Sequence, residues 1–264
     1  MKKKTWFAIA FSLTVITACE KNDDNYVVTP PLIESEIVMA AGDEAALVAK
    51  LDEFRNILGG PVNNAPGSTT GRREITWDGV PANFTNNNNF PLDFFNIIDP
   101  AGPNGRKRGL VYVNTGSPIR LDSTSFAEID ASYADEMLPF SKKKALISTS
   151  SVISEIAFKV AGTNTDAFIK GFGIVFTDVE DANSSHLEFF DGTKSLGVFK
   201  APAKTNAGPF SFLGVFFPDE KITRIKIKAG NGVLSAGVKD ISDGGNKDLV
   251  AYDDLFYDEP KENN

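Results

Sequence analysis

An all-β fold, a jelly-roll-like β-sandwich with one N-terminal helix, is predicted by three features of the 264-residue chain. Beyond Pro61, short apolar or alternating runs are separated by frequent Gly, Pro, Asn and Asp, the punctuation of a sandwich or barrel. Only one stretch after the N-terminal leader, Asp43 to Leu58, repeats its apolar residues with a helical period. No long helices alternate with the strand-like runs, which argues against a parallel βαβ fold.

The elements follow in chain order. Residues 1–18 combine Lys2, Lys3 and Lys4, an apolar stretch from Trp6 to Thr14, and the small-residue end Val15-Ile16-Thr17-Ala18 before Cys19. This is the build of a secretory signal peptide, and the stretch is shorter than the roughly 20 residues a membrane-spanning helix needs. Ile16-Thr17-Ala18-Cys19 resembles the bacterial lipobox, which implies that Cys19 is lipidated and becomes the mature N-terminus. Cys19 is the only cysteine, so it has no internal disulfide partner. The following Glu20-Lys21-Asn22-Asp23-Asp24-Asn25 resembles the surface-export signal of lipoproteins of the Bacteroidota. That resemblance implies an outer-membrane, lipid-anchored protein facing the cell exterior.

Residues 19–42, with Pro30-Pro31 and no sustained period, read as a flexible tether. In residues 43–60 the apolar positions Leu47, Val48, Leu51, Phe54, Ile57 and Leu58 form one helix face, with Asp43 as N-cap and Gly59-Gly60 as the stop. Residues 61–264 then make the sandwich. The strands expected are Glu74–Trp77, Gly109–Val113, Ser125–Ile129, Ala145–Ser148, Ser154–Val160, Phe168–Thr177, His186–Phe190, Ser195–Lys200, Phe210–Phe217, Ile222–Lys228 and Leu249–Tyr257. Ile156, Phe158 and Val160 alternate with polar neighbours, as a half-buried strand requires. Asp191-Gly192 joins two strands in a tight hairpin. Gly173-Ile174-Val175-Phe176 and Phe210–Phe217 lack alternation, which places them in central strands covered on both faces.

Composition excludes several functions. Removing residues 1–18 takes away three lysines and no acids, leaving the mature chain three units more negative than the −8 of the full sequence. Such a surface repels phosphate backbones, so nucleic acid is not an expected partner. The basic clusters Arg72-Arg73, Arg106-Lys107-Arg108 and Lys142-Lys143-Lys144 are brief and read as solvated turns. Gly171-Phe172-Gly173 lacks the third glycine and the strand-to-helix context of a dinucleotide loop, and reads as relief of crowding in a strand. The single histidine, His186, and the absence of a Gly-x-Ser-x-Gly turn disfavour a nucleophilic hydrolase. Two-carboxylate glycoside hydrolysis needs only suitably spaced acids and stays open.

Two sets of candidate site residues remain. An exposed Trp77 would stack on a sugar ring while Asp78 accepted its hydroxyls, although aromatic residues in strands more often belong to a core. Calcium takes oxygen ligands without needing His or Cys. The candidate ligands are Asp178, with Glu180 and Asp181 just beyond it, and Asp253-Asp254 after the loop running from Asp243 to Asp248.

Four blocks also carry a family resemblance: residues 71–81 (Gly-Arg-Arg-Glu-Ile-Thr-Trp-Asp-Gly-Val-Pro), 171–179 (Gly-Phe-Gly-Ile-Val-Phe-Thr-Asp-Val), Leu187-Glu188-Phe189-Phe190-Asp191 with Ser195-Leu196-Gly197, and Asp253-Asp254-Leu255-Phe256-Tyr257. Together they resemble an uncharacterised family of secreted bacterial β-sandwich proteins. More loosely, the hairpin and the closing Asp-Asp strand resemble galactose-binding-type jelly rolls. This second resemblance implies glycan binding and a structural calcium at Asp253 and Asp254.

The functional expectation is a cell-surface lipoprotein whose non-catalytic domain binds a carbohydrate or an extracellular matrix polymer. The alternatives are a structural or assembly lipoprotein docking to an outer-membrane protein, and a glycoside hydrolase using paired carboxylates.

Overall fold

The structure, a computed structural model, describes residues 33–113 and 116–264. The leader, Cys19 and residues 19–32 of the expected tether lie outside the described residues. In chain order the elements are β1 (Glu36–Gly42), α1 (Glu44–Leu58), β2 (Arg72–Ile75), β3 (Leu110–Tyr112), β4 (Ile119–Asp122), β5 (Ala145–Ser148), β6 (Ile153–Lys159), β7 (Asp166–Phe168), β8 (Gly171–Thr177), β9 (His186–Asp191), β10 (Lys194–Lys200), β11 (Phe210–Phe216), β12 (Arg224–Lys228), β13 (Ala251–Asp258) and β14 (Lys261–Glu262).

These strands form two antiparallel sheets. The first runs β1-β11-β8-β13-β5-β4 with β2 also on β13, and the second runs β10-β9-β12-β6-β7-β14 with β3 also on β6. The runs β5-β13-β8-β11 and β6-β12-β9-β10 form the middle of the two sheets, and the chain crosses between the sheets on leaving β2, β3, β5, β7, β8, β10, β11, β12 and β13. That alternation is the strand order of a jelly roll.

The two sheets close over a core that includes Ile156, Phe158, Phe172, Ile174, Phe189, Leu213, Ile225 and Tyr257. The outer face of the second sheet meets solvent, and β6 and β12 accordingly alternate buried with partly exposed residues. The first sheet is covered on its outer face as well. Over one part lies α1, packed through Leu47, Leu51, Phe54 and Leu58 on Val175, Phe212 and Phe256. Over another lie Phe126, Tyr133, Met137 and Leu234, packed on Ala145, Ile147 and Ala251. Every residue of β8 and of β13 is therefore buried, which is why their sequences do not alternate.

Local chemistry sets α1. Asp43 accepts the Ala46 amide at 2.8 Å, and Gly59 stops the helix at φ +85° while its own amide donates to the carbonyls of Arg55 and Asn56. The glycine-flanked Phe172 is explained from above the sheet. Gly173 and Gly214 are register partners on β8 and β11, and a Cβ on either would lie 2.7 Å from the ring of Phe54. The glycines admit the helix rather than bend the strand.

The structure departs from the sequence expectations in four places. Residues 36–42, expected in the tether, form β1 and pair with β11 over seven positions, so the domain begins before residue 43. As an edge strand β1 buries Val38 and Gly42 alone, which left no apolar signal. Ser125–Ile129 is not a strand: Asp122 Oδ1 accepts the amides of Thr124 and Phe126, and Ser125 and Phe126 take positive φ. The strand here is β4, where Arg120 and Asp122 break the apolar pattern. Phe168–Thr177 splits in two, because Asp258 Oδ1 accepts the amides of Lys170 and Gly171 where the chain leaves the second sheet for the first. Trp77, expected to end a strand, begins a 3-10 turn, Trp77–Gly79.

Packing of Phe54 over the glycine pair gives a direct test. Gly214→Ala should destabilise the domain by about 1–3 kcal/mol through overpacking, and Phe54→Leu should relieve part of that penalty. Denaturant unfolding of the two single variants and the double variant measures the coupling. Strict additivity would contradict the contact.

Candidate functional site

The described residues form one cleft next to the turn at residues 77–79. It measures about 320 Å³, the size class of a small-ligand pocket. One wall is the end of β2 and the turn that follows it, Glu74 to Thr76 and Gly79 to Pro81. The other is the segment that carries Phe94, Phe95, Gly105, Arg106 and Arg108.

A buried ion pair sets the first wall. Arg73 is 0% exposed and grips Glu259 with two donors, Nε to Oε2 at 2.7 Å and Nη2 to Oε1 at 2.6 Å. Asn63 Nδ2 donates to the same carboxylate, and Arg73 also reaches the carbonyls of Ala65 and Lys107. β2, the loop after α1, the second wall and the chain end after β13 thus share one set of charge-assisted bonds. Lys107 buries its stem and donates to the Pro100 carbonyl. Two of the basic residues expected in solvated turns are therefore internal.

Within the cleft, Arg106 lies over the Phe94 ring at 4.3 Å and donates from Nε to the Phe94 carbonyl. Its guanidinium also lies 5.7 Å from the Phe84 ring, and its two terminal nitrogens make no hydrogen bond among the described residues. Glu74 is held by Arg55 and by Arg72, the latter at 2.7 Å, and so is charge-satisfied. Gly79 and Gly105 open onto free space, since a Cβ on either meets nothing within 4 Å.

The sequence-predicted ligand pair is not exposed to this cleft. Trp77 is 0% exposed and packs edge-on against Phe90 and Phe95, so it cannot offer a face to a sugar. It supports the cleft floor from beneath. Asp78 is half-buried and absent from the lining, and its backbone carbonyl, with that of Val80, is pinned by Lys144 Nζ. The aromatic residues of the cleft are Phe94 and Phe95, which sequence reasoning passed over because nothing in their pattern separates them from core.

The expected calcium ligands divide between two places. Asp178 follows β8 and joins Glu136, Glu180, Asp240 and Asp248, whose carboxylate oxygens approach within 4.8 Å in two groups of three that share Asp240. Asp181 turns away from this cluster: its Oδ1 accepts from Asn183, and only its backbone amide reaches Asp248. Asp253 and Asp254 belong to neither group. They stand at an irregularity in β13 between Tyr252 and Leu255, where Ser141 donates its amide to Asp253 at 2.9 Å. Glu180 and Asp248 lie in stretches the sequence flags, whereas Glu136 and Asp240 arrive from a turn and a loop with no strand signal.

Burial governs the titration of these acids. It pushes Asp254 up to about 6 against the Ser141 and Asp253 hydrogen bonds, with the charges of Asp78 and Glu74 adding to the rise. Burial and the neighbouring Asp254 hold Asp253 well above the carboxylate range. In the cluster, burial lifts Asp178 to about 6 and Glu180 to about 9, the latter helped by the Asp248 carboxyl. Burial pulls Lys204 down, but its contacts with Asp178 and Glu180 outweigh this and hold the ammonium above its ordinary value. His186 heads β9 beside Lys200 and Lys228, and burial followed by the Lys228 charge lowers its pKa.

Fold and site define an all-β, jelly-roll protein with a small arginine-edged cleft and a buried carboxylate cluster. Compared with known proteins, the sequence matches no family model and no curated protein. The resemblance of the four sequence blocks thus rests on those blocks alone.

Two outcomes follow from the site. Glu259→Gln leaves the Arg73 charge buried against a neutral amide and should cost about 3–5 kcal/mol in denaturant unfolding. A loss under about 1 kcal/mol would mean that water reaches the pair. Asp254 has a folded pKa of about 6, raised from 3.8, so its contribution to stability is full below the lower value and is lost as pH rises through the higher one. Asp254→Asn should therefore melt increasingly above the wild type as pH goes from 4 to 7. A pH-independent difference would contradict the assignment.

Proposed function

We propose that the protein is a lipid-anchored, outer-membrane surface protein whose jelly-roll domain binds a carbohydrate in the cleft between β2 and the 94–108 segment. The observation that carries this reading is the cleft itself: an apolar lining in which Pro81 and Pro103 are exposed over buried Phe94 and Phe95, edged by Arg106, whose two terminal nitrogens make no hydrogen bond among the described residues. A sugar presents an apolar ring face and a rim of hydroxyls, which matches an apolar lining with a few placed donors. Arg106 also suits a sugar carboxylate, because its planar fork accepts two oxygens at once. Binding without turnover is the favoured chemistry, since the one carboxylate lining the cleft, Glu74, is already engaged by two arginines. The anchor is Cys19, for which the lipobox-like Ile16-Thr17-Ala18-Cys19 is the support.

A glycan array probed with the protein tests this. Selective binding is expected, and Arg106→Ala should weaken it by about tenfold or more, equivalent to roughly 1.4 kcal/mol. Gly105→Phe should abolish it while leaving the melting temperature near the wild-type value, because the new side chain enters open cleft space. No binding across neutral and acidic glycans, or binding indifferent to Gly105→Phe, would overturn the reading.

A further inference from the structure

The carboxylate cluster around Asp240 raises a question of charge that the cleft does not answer. Five acids stand in two groups of three, Glu136-Asp178-Asp240 and Glu180-Asp240-Asp248, and among the described residues the cation paired with them is Lys204. Asp240 and Asp248 are 0% exposed and Asp178 is 1% exposed. Gathering this many carboxylates away from water is very costly unless protons or cations neutralise them.

The hydrogen bonds show which oxygens are already used. Asp240 accepts the Leu249 amide on one oxygen and Ser242 on the other, while Asp248 accepts the amides of Glu180 and Asp181. These bonds orient the two carboxylates and leave each oxygen further lone pairs. Asp178 gives Oδ1 to Lys204, whereas its Oδ2 is buried with no donor. Glu136 accepts the Ser242 hydroxyl on Oε1 and keeps a buried, donorless Oε2. Glu180 lies 2.6 Å from Lys204 through Oε1, and its Oε2 likewise faces no donor. A buried Asp178 oxygen with no hydrogen-bond donor, on a residue of the Glu136-Asp178-Asp240 group, is an observation separate from the clustering itself. A buried carboxylate oxygen of this kind calls for a cation or a proton beside it.

We propose that Glu136, Asp178 and Asp240 bind one divalent cation of the calcium type, with Glu180 and Asp248 as the neighbouring carboxylates grouped on Asp240. The donors are all carboxylate oxygens, with no His or Cys among them, which selects a hard cation. Several carboxylates converging from separate loops suit the six to eight ligands of calcium. Magnesium keeps most of its water and usually takes one or two carboxylates. The ligands come from the exit of β8, the turn at residues 131–136 and the loop between β12 and β13. The ion thus ties the outer covering of the first sheet to the sheet itself. This site is independent of the carbohydrate reading, and Asp253 and Asp254 take no part in it.

The test is calorimetric titration of calcium into the full-length protein stripped with EDTA, with thermal melts in parallel. One site per chain is expected, and calcium at about 100 times its dissociation constant should raise the melting temperature by roughly 5–10 °C. Glu136→Gln, at the end of an exposed turn, should weaken calcium binding by roughly tenfold or more while still folding, and Asp178→Asn should do so more severely. Asp254→Asn should leave calcium binding unchanged. Absence of heat and of any melting shift at millimolar calcium would overturn the proposal. So would binding that survives both Glu136→Gln and Asp178→Asn, or a preference for magnesium over calcium.

Discussion

Burial of the first sheet on both faces is the constraint on which the rest of the structure depends. A strand covered on one side can send its polar residues to solvent. β8 and β13 cannot, because α1 and the 123–140 segment lie over the face that the second sheet leaves open. Every polar group in those strands must find a partner inside the protein, at a cost of about 1–3 kcal/mol for each that does not. Asp258 accepts the two amides at the β7–β8 crossing, Asp253 accepts from Ser141, and Thr177 donates to the Leu138 carbonyl. The covering segments are thus fastened by the same side chains whose burial they cause.

That constraint also sorts what was legible in the sequence. Apolar runs without alternation identified β8 and β11 as doubly covered, Asp191-Gly192 located the hairpin with Gly192 at φ +56°, and residues 145–148 were placed to the residue. These signals are local, set by burial period and turn chemistry. β1 was not legible, because an edge strand held by pairing with β11 needs little apolar patterning. Residues 125–129 read as a strand from their apolar residues alone, yet Asp122 turns the chain by accepting its amides, and Phe126 packs with Tyr133 and Met137 over the first sheet.

The candidate sites were less legible for a related reason. Trp77 and Asp78 stand in the turn beside the cleft, but the turn directs the indole inward and leaves Phe94, Phe95 and Arg106 to shape the cleft. Nothing in the sequence brings residue 73 to residue 259, yet that pair fixes one cleft wall to the other. For the acids, the stretches after β8 and before β13 were recognisable as carboxylate-rich. Their convergence with Glu136 and Asp240 depends on crossovers between sheets, which sequence spacing does not encode. The jelly roll itself assigns no task. The cleft and the carboxylates are built from side chains held at the ends and edges of its strands.

The closure of the first sheet is open to direct measurement through the carboxylates it buries. Side-chain carbon NMR titration of the metal-free protein reads the protonation of Asp254 and Asp178 individually. Both are expected to titrate near pH 6, lifted by burial between the sheet and its covering segments. Titration of both near the ordinary value of about 4 would mean that water reaches them and that the first sheet is not closed on its outer face.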